Sequence, residues 1–152
     1  MRIRVFTADD GEHFMALAAR EGWTVDPWET HFLLTAAPSG NFCVHECAGK
    51  ASAFVTSLCH SKSGWIGNLL VHPELRKRGL GERLFTRALK ALCKAGAETF
   101  WLTASAMGRP LYEKHRFCTI DRINRWTGHG TARKGQSLGA VSAKVNLCLD
   151  RL

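Results

Sequence analysis

The chain has 152 residues, of which 45% are apolar and 22% are charged. This composition excludes a disordered, collagen-like or coiled-coil chain and predicts one folded domain over residues 1–152. No stretch approaches the roughly 20 apolar residues that cross a bilayer, and the first residues turn acidic where a secretion signal would be apolar. We therefore expect a cytoplasmic protein without a membrane partner.

The net charge of +8 is concentrated in two segments. Residues 74–94 contain seven Lys or Arg against two Glu, and residues 109–134 contain seven against one Glu and one Asp, so each segment carries +5. Such a basic surface is typical of proteins that bind a phosphate-bearing small molecule or a nucleic acid.

Hydrophobic periodicity and turn residues predict the elements of the first half of the chain. In chain order they are a strand at 2–7 with Ile3 and Val5 inside, a helix capped by Asp9 or Asp10 and ended by Gly22, a short helix at 28–35, and strands at 41–48, 51–59 and 65–71, the first two joined by a Gly49-Lys50 hairpin.

The second half contains the most regular pattern. Apolar residues recur from Leu80 at the 3.6-residue period of a helix that ends at Gly96. After it we predict a strand at 99–103, a short helix at 110–116, a strand at 117–126 with Ile120 and Ile123 inside, a loop at 127–138 and a last strand at 141–149. A strand, a long helix and a further strand form a βαβ crossover, which predicts an α/β fold with a partly parallel sheet.

The six cysteines lie in apolar runs and are interpreted as reduced thiols in the core. Cys43, His45 and Cys47 alternate along a predicted strand and would share a face that suits a metal ion. No second cluster completes four ligands, so we expect no metal site. His60 is interpreted as a surface residue at a strand end.

The segment with the clearest chemistry joins the strand end at Val71 to the helix start at Leu80. It contains three basic residues and two glycines, namely Arg76, Lys77, Arg78, Gly79 and Gly81. The first N–H groups of a helix lack partners within the helix, and glycines let the backbone approach a ligand, so the segment fits a pyrophosphate. Neither a P-loop motif nor a Rossmann motif is present. The alternative is a plain glycine-rich turn beside a solvated basic helix face.

A second motif, L-Y-E-K-H-R-F at 111–117, follows about 30 residues later. Together, residues 65–117 resemble the GCN5-related N-acetyltransferase family, in which V-x-P and R/Q-x-x-G-x-G/A form motif A and L-Y-E-K-x-G-F ends motif B. The order of the flanking elements resembles the family from residue 3 to about 126. The resemblance implies a mixed, splayed sheet of six to seven strands with about four helices, and acetyl transfer from acetyl-CoA to a primary amine of a small molecule or peptide.

The resemblance also implies roles for individual residues. Backbone groups of Leu69, Leu70 and Val71 would pair with the pantetheine arm of acetyl-CoA, and backbone N–H groups from Arg76 to Gly81, including Leu80, would hold its pyrophosphate. Tyr112 falls on the family's general acid, which protonates the departing thiolate. The alternative role for Tyr112 is a packed helix aromatic.

Two positions depart from the family pattern. Ser105 stands where the family often has an asparagine that contacts the coenzyme, and its shorter side chain weakens that expectation. Arg116 replaces a frequent glycine and is expected to alter the turn after the helix. Residues 102–112 resemble a branch of the family with L-x-A-T-x-x-G-x-P-L-Y.

The family's architecture places the acceptor beside the loop between the first two helices. Trp23 and Trp28 would form walls for an apolar or aromatic acceptor, and Asp26 or Glu29 would attract its ammonium group. Trp28 equally fits a helix-end tryptophan that caps the core. No residue is marked as the general base, since Asn68 is not basic and His72 lies at the coenzyme end of its strand, so a water chain is expected.

The alternative function is a basic module that binds nucleic acid or senses acyl-CoA without catalysis. Nucleic-acid binders interleave aromatic residues with cations, and the basic face of the helix that begins at Leu80 has none. We therefore expect no nucleic-acid partner. A homodimer is left open.

Overall fold

The computed structural model of the protein describes residues 2–23, 28, 31, 32, 35, 41–45 and 49–123, with backbone alone at 41–45. The chain divides into two compact units, Met1–Ile120 and Asp121–Leu152. Of the second unit only 121–123 are described, and they are irregular. The loop predicted at 127–138 and the strand at 141–149 lie outside the described residues, and the single domain over 1–152 stays a prediction.

The first unit is built on a five-stranded mixed sheet. Its strands lie side by side in chain order: β1 (Arg2–Val5), β2 (Asn41–His45), β3 (Ala51–His60), β4 (Ser63–Val71) and β5 (Thr99–Leu102). The first four are antiparallel to their neighbours, whereas β5 is parallel to β4. The predicted mixed α/β fold is confirmed.

Within the described residues, three continuous α-helices and two short 3-10 turns accompany the sheet. They are α1 (Gly11–Arg20), α2 (Leu80–Lys94) and α3 (Arg109–Lys114), with turns at Ala8–Asp10 and Pro73–Leu75. Residues 28, 31, 32 and 35 are also helical, in agreement with the short helix predicted there.

The two long helices confirm the predicted periodicity. Helix α1 buries Phe14, Leu17 and Ala18 and is followed by Gly22, whose φ is +73°. Helix α2 buries residues spaced three or four apart, from Leu80 to Leu92, and is followed by Gly96 at φ +87°. Full burial of a large apolar side chain contributes roughly 1.5–3 kcal/mol, so both helices are held mainly by their packing against the sheet.

The sheet separates two apolar clusters. The α1 cluster consists of Phe6, Phe14, Leu17, Ala18, Ala51, Phe54 and Leu70. The α2 cluster consists of Ala53, Val55, Ile66, Leu75, Leu80, Leu84, Phe85, Ala88, Leu92, Ala97 and Tyr112. Because successive strand side chains point to opposite faces, Phe54 and Val55 belong to different clusters. Both faces of the centre of the sheet are therefore covered.

The N-terminal strand differs in detail from its prediction. Val5 is 47% exposed, and the first fully buried side chain is that of Phe6. Arg4 is half-buried because its guanidinium makes two 2.6 Å contacts with the carboxylate of Asp10. That carboxylate accepts hydrogen bonds from the backbone N–H and the hydroxyl of Thr7 instead of capping α1.

The strand predicted at 117–126 is wrong over its described part. Residues 117–123 are irregular, and Ile120 and Ile123 are 76% and 74% exposed. A strand needs a neighbouring edge to satisfy its N–H and C=O groups, and no described strand pairs with this segment. An apolar pattern alone does not supply that edge.

The cysteines also need a correction. Cys59, Cys93 and Cys118 are free thiols as predicted, yet all three are exposed. Cys93 lies on the solvent face of α2. Cys59 lies near the end of β3, where the strand residues are exposed. The side chains of Cys43 and His45 and the whole of Cys47 lie outside what the structure describes, so the expectation of no metal site on this strand stays a prediction. Among the described residues, no three His, Cys, Asp or Glu side chains group as metal ligands would. His60 is exposed at the end of β3, as predicted.

No helix within the described residues is both long enough and apolar enough to cross a bilayer.

Candidate active site

The last two strands of the sheet separate at one end. Strand β5 pairs with β4 from Ser63 opposite Thr99 to Ile66 opposite Leu102. Beyond Ile66, β4 continues to Val71 paired with β3 but without β5 beside it. In the described part of the chain, no strand covers this edge of β4 beyond Ile66. Backbone groups on an uncovered strand edge are available to a ligand that lies along the strand.

A β-bulge marks the start of the separation. Phe54 of β3 pairs with Leu70 and Thr56 pairs with Gly67, so three steps along β4 match two steps along β3. Asn68 lies in this bulge and adopts a left-handed conformation with φ +50°. Bulges bend a strand and redirect its groups, which here turns β4 away from β5.

The hydrogen bonds after the bulge show which backbone groups face the opening. The N–H of His72 donates to the carbonyl of Ser52 on β3 at 2.9 Å. Because N–H and C=O groups of successive strand residues point to opposite edges, those of Leu70 also face β3. The groups of Leu69 and Val71 therefore face the uncovered edge.

The loop at 76–82, called here the phosphate loop, presents a run of open N–H groups. Within the described residues, nothing accepts a hydrogen bond from the N–H groups of 77 to 82, because the first bond of α2 runs from Arg83 to the carbonyl of Gly79. Lys77 and Gly79 both have positive φ, +60° and +75°, which curls the loop around these groups. A nest of this kind at the start of a 15-residue helix has the geometry and the partial positive charge that favour an anion.

The three basic residues of the loop divide into two roles. Lys77 and Arg78 are exposed at the mouth of the loop. Arg76 folds back instead: its Nε donates to the carbonyl of Val71 at 3.0 Å, and its Nη2 contacts the carboxylate of Glu21. The N–H of Arg76 is also occupied by the carbonyl of Pro73. Arg76 therefore ties the loop to β4 and to the end of α1.

The two glycines of the loop differ. Gly79 needs its left-handed conformation, which other L-residues adopt at a cost, although no atom lies within 4 Å of the position of a Cβ. At Gly81 a Cβ would lie 3.7 Å from Val71 Cγ2 and 4.0 Å from Leu111 Cδ2. Glycine thus keeps open a narrow gap between β4 and α3.

Tyr112 lies on α3 against the core. It is 8% exposed, and its ring centroid is 5.2 Å from that of Phe85 on α2. Burial raises the pKa of its hydroxyl, because the charged phenolate is disfavoured away from water. A Cβ added at Gly108 would lie 3.4 Å from this hydroxyl and 3.5 Å from Ser105 Oγ, so both hydroxyl oxygens flank Gly108.

Ser105 supports the start of α3. Its Oγ accepts a hydrogen bond from the N–H of Gly108 at 3.2 Å, and its carbonyl accepts from the N–H of Arg109 at 3.0 Å. Since a hydroxyl can accept and donate at once, its proton stays available to a ligand. Arg116, at the other end of α3, adopts φ +64°, so the turn that a glycine favours is kept.

A charged cluster holds the two helices of the site together. Glu82 in the first turn of α2 accepts a hydrogen bond from Lys114 Nζ at 2.6 Å and lies 3.6 Å from His115 Nε2. The hydrogen bond and charge of Lys114 lower the pKa of Glu82. This contact fixes the helix of Tyr112 relative to the phosphate loop.

The predicted acceptor residues are only partly brought together. Trp23 is half-buried and packs against the α1 cluster. Trp28 is 66% exposed and stacks on Phe32 with centroids 5.3 Å apart, so it does not cap the core. Asp26 lies outside the described residues.

Sequence reasoning did not find Glu21 and Glu82. Each pairs with a residue more than 30 positions away, Arg76 and Lys114 respectively. No local motif signals such a pair, because it depends on how the helices meet. Both acids act by holding the loop and α3 in place.

Comparison with known proteins places the chain among acetyltransferases. The family model described as an acetyltransferase (GNAT) domain matches residues 38–118. A search of curated proteins finds no match. The structure is similar to glucosamine-6-phosphate N-acetyltransferase from Arabidopsis thaliana, with a TM-score of 0.70, 17% identity, and coverage of 84% of this chain and 98% of that one.

Two further solved structures are similar. One is a GCN5-related N-acetyltransferase from Ralstonia eutropha, with a TM-score of 0.64, 25% identity, and coverage of 83% and 97% of the two chains. The other is a predicted acetyltransferase with acetyl-CoA from Clostridium acetobutylicum, with a TM-score of 0.65, 18% identity, and coverage of 83% and 95%. The family model spans more than half of the chain, so this protein belongs to the GNAT acetyltransferase family.

Proposed function

We propose that the protein transfers an acetyl group from acetyl-CoA to a primary amine by direct attack in a ternary complex. The observation that carries the proposal is the position of the open N–H groups of 77–82 next to the uncovered edge of β4. A ligand with a pyrophosphate and a long amide-containing arm has the chemistry to fill both features. Acetyl-CoA is such a ligand.

The residues of the chain then have distinct tasks. The N–H groups from Lys77 to Gly81, with that of Glu82, hold the pyrophosphate, while Lys77 and Arg78 add charge. The backbone groups of Leu69 and the N–H of Val71 pair with the pantetheine arm as a further strand would, while the carbonyl of Val71 accepts from Arg76 Nε. The groups of Leu70 belong to the pairing with β3, so this residue contributes packing instead.

In the reaction, the amine loses one proton and the sulfur of coenzyme A gains one. The neutral amine attacks the thioester carbonyl carbon, a C–N bond forms, the C–S bond breaks, and the amine proton passes to water. A backbone N–H of the segment from Leu69 to Val71 polarises the carbonyl oxygen. Tyr112 gives its proton to the departing sulfur and recovers one from the water that took the amine proton, and Ser105 contacts the coenzyme through its hydroxyl proton.

The acceptor is a small-molecule or peptide amine. The exposed face of Trp28 supports an apolar or aromatic acceptor, with Trp23 as its inner neighbour and Asp26 as the partner of the ammonium group. The similarity to glucosamine-6-phosphate N-acetyltransferase adds amino sugars to the candidates.

An acceptor-panel assay tests the proposal. Thiol release from acetyl-CoA is followed with amino sugars, aromatic amines, polyamines and peptides, and at least one class is expected to raise release well above hydrolysis. The product should carry one acetyl group by mass spectrometry. Coenzyme binding without release by any amine would favour the acyl-CoA-sensing alternative.

A further inference from the structure

A second concave site lies on the face of the sheet that carries α1. Its volume is about 250 Å³, and its polar lining consists of His13, Arg20, Lys50, Ser52 and His72. None of the described residues that line it carries a carboxylate. A hollow lined by cations without compensating acids is expected to attract an anion.

Arg20 and His72 contact each other within this site. Arg20 Nη1 and His72 Nε2 are 3.0 Å apart. A guanidinium only donates, so Nε2 is the acceptor when this contact is a hydrogen bond. The remaining N–H groups of the Arg20 fork are arranged for two-point contact with an oxyanion.

Ser52 supplies an independent observation. The residue is 7% exposed, and within the described residues its buried Oγ has no hydrogen-bond partner. A buried hydroxyl without a partner costs free energy, so native proteins usually satisfy it. We expect a rotation about the Cα–Cβ bond to bring this shielded hydroxyl to an oxyanion in the pocket, which would then accept its hydrogen bond.

The pocket is distinct from the candidate active site. None of its lining residues belongs to the phosphate loop, and neither Leu69 nor Val71 contributes to it. Leu70 belongs to the α1 cluster, and side chains alternate along a strand, so His72 points to the α1 face. The uncovered edge of β4 and the open loop serve a different ligand.

We propose that this pocket binds the oxyanion group of a small molecule, a phosphate monoester or a carboxylate, in addition to the coenzyme. Its volume is below the range of roughly 300–1,000 Å³ that holds a drug-sized ligand, so it takes a small anion or the anionic end of a larger molecule. Arg20 and Lys50 supply charge, and Ser52 supplies a neutral donor.

Calorimetric titration of the full chain with inorganic phosphate, and separately with acetate, tests the proposal. The protein is first saturated with coenzyme A so that the phosphate loop is filled. One of the two anions is expected to bind and to shift the imidazole NMR signals of His13 and His72. Phosphate alone assigns a phosphate monoester, and acetate alone assigns a carboxylate.

Variants identify the site. Arg20→Gln and Lys50→Gln are expected to weaken anion binding about tenfold, and Ser52→Ala to weaken it several-fold while the fold is kept, because the lost hydroxyl has no partner. Lys94→Gln removes an equal charge from the end of α2 and should change nothing. The proposal is wrong if coenzyme A abolishes anion binding, if neither anion binds, or if Lys94→Gln and Arg20→Gln have equal effects.

Discussion

Tyr112 is the only tyrosine of the chain, so a single substitution tests whether it acts as an acid or only packs against the core. If it protonates the leaving sulfur, Tyr112→Phe should lower kcat by roughly 10-fold to 10⁴-fold with the KM for acetyl-CoA little changed, the usual range of acid–base assistance. The substitution keeps the ring that packs on Phe85, so the melting temperature should stay near that of the wild type.

The leaving group supplies the control for this variant. A thiol of low pKa departs without a proton, so acyl donors with such thiols should lose less rate in Tyr112→Phe than acetyl-CoA does. Full turnover of the variant with acetyl-CoA would leave Tyr112 with its packing role.

Asp10 carries a prediction about acid stability. Burial alone would raise the pKa of its carboxyl, but the hydrogen bonds from Arg4 and Thr7 outweigh burial and lower the pKa from 3.8 to about 2. Because the folded pKa is the lower one, the stabilisation is complete above pH 3.8 and is lost as the pH falls toward 2. It amounts to about 2 kcal/mol.

Urea unfolding at several pH values between 5 and 2 measures this effect. Wild type should lose about 2 kcal/mol more unfolding free energy over that interval than Asp10→Asn. Asp9 is the adjacent exposed acid, and Asp9→Asn should keep the wild-type slope. Equal slopes in wild type and Asp10→Asn would show that the Arg4 contact does not hold in solution.

The residue types in the sequence predict backbone conformation better than they predict the exposure of side chains. Gly79 and Gly22 were predicted at turns and have positive φ, because few other residues take that conformation at low cost. Cys93 was predicted in the core, and a cap on the core was one of the two roles predicted for Trp28, yet both residues are exposed, since their environment depends on which neighbouring element reaches them. A single sequence does not contain that information in local form.

At the scale of elements, the two ends of α2 offer a matched pair of glycines. Gly79 and Gly96 have φ of +75° and +87°, and neither has an atom within 4 Å of an added Cβ. Gly79→Ala and Gly96→Ala should therefore each lower the unfolding free energy by about 1–2 kcal/mol through backbone conformation. Chemical denaturation measures this common effect.

Coenzyme affinity should separate the same two variants. Gly79 belongs to the phosphate loop, so Gly79→Ala is expected to weaken coenzyme A binding about tenfold or more, equivalent to about 1.4 kcal/mol. Gly96→Ala, at the far end of the helix, should bind as wild type does. If calorimetry shows equal affinities, the loop is only a turn and its open N–H groups hold no phosphate.

A helix or strand could be predicted where its own residues contain the pattern that defines it. The stripe from Leu80 to Leu92 predicts α2, because its period and its two flanking glycines agree. The segment at 117–123 shows the opposite case, since its apolar residues suggest a strand but pairing needs a neighbour that no pattern in the segment specifies. The bulge at Asn68 also depends on the register with β3 and left no local signal.

At the scale of the whole first unit, the site depends on parts from both faces of the sheet. Arg76 joins the phosphate loop to Glu21 at the end of α1, while Glu82 joins the start of α2 to Lys114 on α3. The backbone of β4 lies between these two contacts. Coenzyme binding should therefore stabilise the folded protein as a unit and not merely order the loop.

Thermal unfolding with coenzyme fragments tests this view and the assignment of the loop together. A ligand held only by the folded state adds RT ln(1 + [L]/Kd), about 2.7 kcal/mol at a hundredfold excess over Kd. For a chain of this size that should raise Tm by roughly 5–10 °C. Pantetheine without its phosphates keeps the contacts with β4 but loses those with 77–82, so it should raise Tm far less at the same concentration. Equal shifts would mean that the phosphate loop adds nothing to binding, and the open N–H groups would then need another partner.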